Sequence, residues 1–481
     1  MKNLFKSISL IAFAFLFSTC SLSDFGDVNK NPNATTVPVT SALLTNVLSG
    51  LGGWTQGMNE GLYAQYFSES QYTDASLYAL QQINFTGNYS GAMYDLQNII
   101  NNNTDEETKN EVTANGSNAN QIAVAKILLT YHYMHQTDRW GDVPYSTALT
   151  GDAKPTYDTQ ADIYKGFFST LKSAIAQFDG GLAAQGDILF GGDKAKWKKF
   201  ANSLRLVFAM RLSKVDPALG KTEFSSAFSD AAGYLSSAAD DVTLVYPGAS
   251  YKNPWYNLYD GRKDYSISDV MVTALKNLND PRSQQFGTPN AKGEVKGIPY
   301  GLTRDAAVNY TNANADWSLI LAPKWRSQTA PVVVLSASQV LLTIAEAIQL
   351  GWVSGNKNQF YADGVKASFE RWGITESVRL DVYLGGTNVA LDGSAADLTK
   401  INTQKWIAIY PDGRSGWTEW RRTGIPNLVP TPQAVSASKQ IPRRFVYPSQ
   451  EYNLNGDNLS AAVGRVSGGD TQDGRVWWDK Q

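Results

Sequence analysis

The sequence predicts a mainly α protein built of paired helix hairpins, with a large irregular, loop-rich half and few short strands. Three observations predict it. Apolar residues recur at helical spacing in one segment after another. Short turns separate many of these segments. Between others lie long stretches rich in Gly, Pro, Asn and aromatic residues, and loops that long inside a folded domain are commonly functional.

In chain order, helices are expected at Ser41–Leu51, Asn88–Ile100 and Asn120–Gln136. In "DIYKGFFSTLKSAIAQF", Ile163, Phe167, Leu171 and Ile175 recur every fourth residue and define one buried stripe. In "KAKWKKFANSLRLVFAMRL", Trp197, Phe200, Leu204, Val207 and Phe208 do the same, with Asp193 placed as N-cap. Further helices are expected at Leu335–Gly351, Gln359–Trp372 and Leu398–Ile409. Pairs of this kind suggest stacked, tetratricopeptide-like hairpins. No strict repeat of roughly 34 residues shows, so the repeats are degenerate. The main irregular stretches are Val242–Ile267, Gly287–Pro331 and Tyr410–Gln481, with a few short strands, such as "VTLVYPG" and "APVVVLS". No linker divides residues 39–481, which read as one domain.

The N-terminus is of another kind. Lys2 and Lys6 precede an apolar run, Ile8 to Phe17, that is too short to span a bilayer; Ser18, Thr19 and Cys20 follow. Cys20 is the only cysteine in the chain, so no disulfide framework or CxxC site is available. The segment resembles a bacterial lipoprotein signal. That resemblance implies removal of residues 1–19, acylation of the Cys20 thiol and new N-terminus, and anchoring by several acyl chains where one would be marginal. Phe17 and Thr19 depart from the usual Leu and Gly or Ala. Residues 20–38 are polar and broken by Asn, Asp and Pro, and read as a flexible tether. Asp24 and Asp27 resemble the acidic export signal of surface lipoproteins in Bacteroidota. No later segment reaches the roughly 18 apolar residues of a spanning helix.

Composition narrows the function. Lys plus Arg number 42 against 44 Asp plus Glu, without the basic excess of a nucleic-acid binder. The 12% aromatic content, including 13 Trp and 24 Tyr, exceeds what core helices account for. Enzyme motifs fall short. "ALGKT" resembles a phosphate loop, but Val215 stands where the first glycine is required. "GRSGW" lacks one spacer of a nucleophile elbow. His132 and His135 lie three apart on a helix, a spacing that suits a metal but more often packs against neighbouring Tyr. Asp470 and Asp473 depart from the EF-hand pattern and read as a solvated turn. No catalytic residue, metal or cofactor is called for.

Eight stretches in order resemble one family, SusD/RagB nutrient-binding outer-membrane lipoproteins, SusD-like branch. They are "DVNKNPNATT", "DRWGDVPYSTAL", "NLNDPR", "LSASQVLLTIAEAIQLGW", "NTQKWIAIY", "GWTEWRRTGIPNLVP", "IPRRFVYPSQEYNLN" and "VWWD". The resemblance implies a tetratricopeptide-like scaffold with a less regular binding half. It implies a partner, a SusC-like TonB-dependent barrel over which the protein sits as a lid, and capture of oligomeric nutrient without catalysis. The residues also have plain physical readings. Gly141 and Pro144 turn the chain so that Trp140 and Tyr145 fold back on the preceding helix. Arg421 and Arg422 supply forked donors that suit an acidic ligand or, as expected here, staple the C-terminal segment to the helices. The terminal Trp pair docks into the body.

Sugars offer C–H faces to aromatic rings and hydroxyls to polar side chains, so a glycan site needs exposed Trp or Tyr on loops beside Asp, Asn, Arg or Gln. "YKNPWYNLYDGRKDY" fits best, through Trp255, Tyr256, Tyr259, Arg262 and Asp264. Tyr300, Trp317 and Trp325 come next, then Tyr66, Tyr72 and Tyr78. The ligand expected is an oligosaccharide. An oligopeptide held by backbone hydrogen bonds is the alternative. A surface glycan hydrolase, betrayed by two carboxylates about 5–10 Å apart in a cleft, is the alternative of another class; a purely structural subunit is a third.

Overall fold

The helical stripes become helices in a computed structural model that describes residues 39–480. In chain order they are α1 (Thr40–Gln56), α2 (Met58–Tyr63), α3 (Tyr94–Thr104), α4 (Asn118–Trp140), α5 (Gln160–Gln177), α6 (Lys194–Arg211) and α7 (Pro217–Phe228). Then follow α8 (Asp269–Asn277), α9 (Arg304–Ala313), α10 (Ala337–Gln349), α11 (Lys357–Arg371), α12 (Asp397–Ile409) and α13 (Gly413–Thr423). Successive helices pack as neighbours: α1 on α3, α3 on α4, α4 on α5, α5 on α6, α6 on α7. Helix α6 also meets α10, which packs on α11 and α12. The hairpin scaffold expected from periodicity is present. The lipoprotein signal, Cys20 and the tether to residue 38 lie outside the described residues.

Caps fix where the helices begin. Asp193 accepts from the amides of Ala195 and Lys196, as expected of an N-cap. Ser117, Thr159, Asp216, Ser336 and Asp412 cap α4, α5, α7, α10 and α13 in the same way. Helical winding begins at Thr86, two residues before the expected start, and the regular helix α3 begins only at Tyr94. Gly91, at φ −107° and ψ −110°, breaks the regular winding ahead of Tyr94.

Strands pair two by two, all antiparallel: β1 (Phe67–Glu69) with β5 (Tyr265–Ile267), β2 (Val143–Pro144) with β3 (Tyr157–Asp158), and β4 (Val242–Leu244) with β6 (Val332–Leu335). The two strands expected from sequence, β4 and β6, are each other's partners.

All three expected irregular stretches contain helix. Residues 242–267 hold one turn, Pro254–Asn257; residues 287–331 hold α9; and the C-terminal stretch holds α13 and two short helices, Ser449–Leu454 and Gly456–Val463. Helix α13 ends at Gly424, whose φ of 74° is open to glycine. Its side chains explain its burial. Arg422 pairs bidentately with Glu346 of α10, at 2.9 and 2.7 Å, and with Glu419 at 2.8 Å. Lys405 of α12 closes the group on Glu346 and on Glu419. Arg421 donates to the carbonyls of Arg443 and Asp138 and lies over the rings of Trp417 and Trp478. Both arginines therefore staple the C-terminal segment to the scaffold. Trp478 is fully buried, its indole N–H on Asp138 at 2.9 Å, whereas Trp477 is half-buried.

Trp140 is buried with its N–H on the Val446 carbonyl, and Tyr145 packs edge-on to Tyr133 of α4. His132 and His135 pack against Trp54 and Tyr131. Burial pushes His132 down to about 3, so the ring is neutral. Among the described residues, no group of three or more His, Cys, Asp or Glu side chains converges as metal ligands. Asp470 is taken by Arg444, the Tyr447 amide and the Tyr452 hydroxyl, and Asp473 by Ser438. Among the described residues no helix is long and apolar enough to cross a membrane.

Candidate ligand-binding site

The β1–β5 pairing builds the site. Its register sets Phe67 opposite Ile267 and Glu69 opposite Tyr265. Antiparallel strands bring the end of one beside the start of the other, so the residues after Glu69 meet those before Tyr265. The Ser70 amide donates to the Asp264 carbonyl at 2.8 Å, and its hydroxyl to Lys263 at 2.8 Å. Tyr72 is thereby delivered to Arg262, whose guanidinium lies 4.8 Å from its ring centroid. Arg262 pairs with Asp264 at 2.6 Å, and Gln71 donates to the same carboxylate at 2.7 Å. The hydrogen bond that Arg262 donates to Asp264 raises the Arg262 pKa, so the guanidinium stays charged.

A third segment completes the face. Ser268, just past β5, bridges Ile298 in parallel, and the Tyr300 amide donates to Asp269 at 2.9 Å. Gly301 turns at φ 67°, tied to the Thr431 hydroxyl at 2.7 Å. Helix α9 starts three residues later, and Arg304 comes to 5.2 Å from the Tyr72 ring. Tyr72 is 48% exposed. Each contact of this kind at an exposed site contributes about 0.5–1 kcal/mol. The result is one accessible ring held by two guanidinium groups, with an acceptor carboxylate and an amide beside it. Beneath lies Glu69, whose pKa burial raises to about 7 against the hydrogen bonds from Ser76.

The other expected residues fall elsewhere. Trp255 is not an exposed platform: at 2% exposure it packs edge-on to Phe67 within the core. Tyr66 and Tyr78 are fully buried. Tyr259 is half-buried and acts as a strut. Its hydroxyl donates to the Tyr265 carbonyl at 3.0 Å and accepts from the Ile320 amide at 2.9 Å. Tyr256 is half-buried with Lys252 over its ring at 5.2 Å. Tyr300 is half-buried, its hydroxyl 3.5 Å from that of Tyr78. Trp317 is half-buried. Trp325 meets Trp372 edge-on at 5.2 Å, and both line a separate cavity with Trp255. The structure thus gathers Tyr72, Arg262 and Asp264 into one face. Sequence reasoning missed Arg304 and Gln71. The available signal for Arg304 was a cation in the first turn of a helix, where the macrodipole disfavours it.

A helix-hairpin scaffold that presents aromatic and charged side chains on loops is the build of a binding protein. The chain belongs to the SusD-like family: residues 32–448 match the family model described as starch-binding associating with outer membrane. A solved structure described as a chitin-binding protein is 28% identical, with a TM-score of 0.79 over 92% of this chain and 100% of that one. A chitin-binding SusD homolog from Flavobacterium johnsoniae is 26% identical, with a TM-score of 0.79 over 92% and 98%. A SusD homolog from Bacteroides uniformis is 25% identical, with a TM-score of 0.79 over 92% and 99%. No curated protein matches the chain.

Proposed function

We propose that this protein is a non-catalytic surface lipoprotein that captures an oligosaccharide and passes it to a SusC-like TonB-dependent barrel, over which it serves as a lid. Acylation of Cys20 holds it to the outer membrane, and residues 20–38 tether a single binding domain that runs from residue 39 to 481. The observation that carries the binding step is the Tyr72 face. An exposed ring offers a sugar its stacking surface, while Arg262, Arg304, Asp264 and Gln71 offer donors and acceptors around it. Family membership supports a nutrient ligand, and the chitin-binding neighbours favour glycan over peptide.

The test is titration with chitin and starch oligosaccharides. Tyr72→Ala should weaken binding about tenfold, or 1.4 kcal/mol, with an unchanged thermal midpoint. Unchanged affinity removes the Tyr72 face from the proposal. Mass spectrometry of ligand from native membranes decides between ligand classes: peptides without hexose or hexosamine would replace the glycan reading by the oligopeptide one. Turnover on a polysaccharide panel would install the hydrolase instead. Cys20→Ala should abolish membrane retention, and the barrel should co-purify with the wild-type chain.

A further inference from the structure

A cavity of about 180 Å³ lies apart from the Tyr72 face, where β4, β6, the end of α11 and the start of α13 meet. Three indoles line it: Trp255, Trp325 and Trp372. So do three ionisable groups, Asp241, Asp412 and Arg371. Half-buried Thr243 and Val333, cross-strand partners in the β4–β6 ladder, stand on its wall.

The polar groups have bonding capacity to spare. Trp372 is 3% exposed, and its indole N–H has no partner. Asp241 accepts the Ala337 amide through Oδ1 at 2.7 Å, and its Oδ2 has no partner among the described residues. Arg371 donates only to the Ala408 carbonyl, at 3.3 Å, and no carboxylate lies within ion-pair distance of it among the described residues. Asp412 accepts the Ser415 amide at 3.0 Å. Donors and acceptors thus share one small space with apolar ring surface.

Charge limits what fits. A cation would face Arg371 and an anion would face two carboxylates. A hydroxyl both donates and accepts, so a neutral polyol satisfies both sets at once. At about 30 Å³ per water, the volume equals roughly six waters, which is the bulk of one pyranose ring. We infer that this cavity is a second carbohydrate site, which takes a single uncharged sugar ring against its indole-lined wall, with Asp241, Arg371 and the Trp372 N–H on the hydroxyls. Burial holds Asp241 and Asp412 up at about 6, so both accept hydrogen bonds at neutral pH. Asp412 caps α13 and Asp241 anchors α10, and a cavity for one ring has no room for the two sugars that flank a scissile bond. The pair therefore binds.

The inference rests on the glycan reading for its probes, the methyl glycosides of glucose and N-acetylglucosamine. Titration of the full soluble chain, with a crystal soak, should show one equivalent bound in this cavity. Asp241→Asn keeps the amide contact to α10 and should weaken binding at least tenfold. Val333→Phe should plug the cavity and abolish binding, with the thermal midpoint showing that it folds. Tyr72→Ala should leave monosaccharide binding unchanged while it weakens oligosaccharide capture, which separates the two sites. The inference is overturned by absence of binding at high millimolar glycoside, by loss of it in Tyr72→Ala, by retention of it in folded Val333→Phe, or by tighter binding of a free amino acid. Cleavage of a nitrophenyl glycoside that Asp241→Asn abolishes would overturn it too.

Discussion

Replacing Glu419 by Gln tests whether the Trp-Arg-Arg segment is a staple rather than a ligand site. Glu419, Glu346, Arg422 and Lys405 form a neutral group of four with side chains no more than 6% exposed. Burial alone would raise the Glu419 pKa, but Arg422 and Lys405 outweigh it and hold the carboxyl at about 2, against 4.5 for the free group. At 1.36 kcal/mol per unit, that difference is about 3 kcal/mol of stability. The folded pKa lies below the unfolded one, so the contribution is complete above about pH 4.5 and is lost as pH falls through about 2. Glu419→Gln leaves Lys405 and Arg422 facing Glu346 alone, and an uncompensated buried charge costs about 3–5 kcal/mol. From Thr40 onward the unit has about 440 residues; at roughly 2.1 cal/mol/K each, unfolding entropy is ~0.9 kcal/mol/K, which gives a midpoint drop of about 3–5 °C. Urea unfolding followed by tryptophan fluorescence, at pH 7 and at steps down to pH 2.5, reads the cost and its pH dependence, and a thermal melt reads the midpoint. Glu419→Gln/Lys405→Met restores neutrality and should recover more than half of the loss. Oligosaccharide affinity below the midpoint should not change. A cost under 1 kcal/mol at pH 7, or an unaltered slope below pH 4.5, would refute the reasoning.

Trp255→Ala should cost about 3–5 kcal/mol, as truncation of a buried indole does; a loss under 1 kcal/mol in urea would return the ring to the surface. Gly301→Ala strains a φ of 67° and sets a new Cβ 2.3 Å from that of Thr431. It should cost about 1–3 kcal/mol and, because α9 follows, weaken oligosaccharide binding at the Tyr72 face as measured by titration. His132 is held neutral down to about pH 3 by burial, while the unfolded ring titrates near 6.5. Unfolded chains therefore bind the extra proton, stability falls as pH drops from 6.5 through 3, and His132→Gln should flatten the slope of urea stability between pH 6.5 and 5. Arg304→Gln should weaken oligosaccharide binding severalfold without moving the thermal midpoint.

The scaffold was legible because its code is local. Ile163, Phe167 and Leu171 are all fully buried, and their four-residue spacing alone marks the face. Helix α13 carries no such mark. "GRSGWTEWRRT" has two glycines and few apolar residues, yet Arg421, Arg422 and Glu419 are buried. Charge is buried there by pairing, and the partners are remote: Glu346 lies 76 residues from Arg422, and the Asp138 carbonyl 283 from Arg421. A pattern search that expects apolar residues inside reads such a helix as loop. The site was half legible for the same reason. "AQYFSESQYTDASLY" announces aromatic residues, but Tyr66 and Tyr78 are buried while Tyr72 is exposed. What sorts them is the pairing of Phe67 with Ile267, a contact across 200 residues that brings Arg262 and Asp264 up to the loop. Trp255 shows the converse error. Its Pro- and Gly-rich surroundings suggest an open loop, yet Asn253 caps the turn at Trp255 and donates to the Ala330 carbonyl at 2.8 Å. That anchor draws the indole inward, towards the cavity. Residue type and loop character are thus written locally, whereas the choice between ring as platform and ring as wall is made by long-range hydrogen bonds. Cutting one of those bonds should move a ring between the two roles. Asn253→Ala is the direct case, expected to increase Trp255 fluorescence quenching by acrylamide while Tyr72-dependent oligosaccharide binding persists.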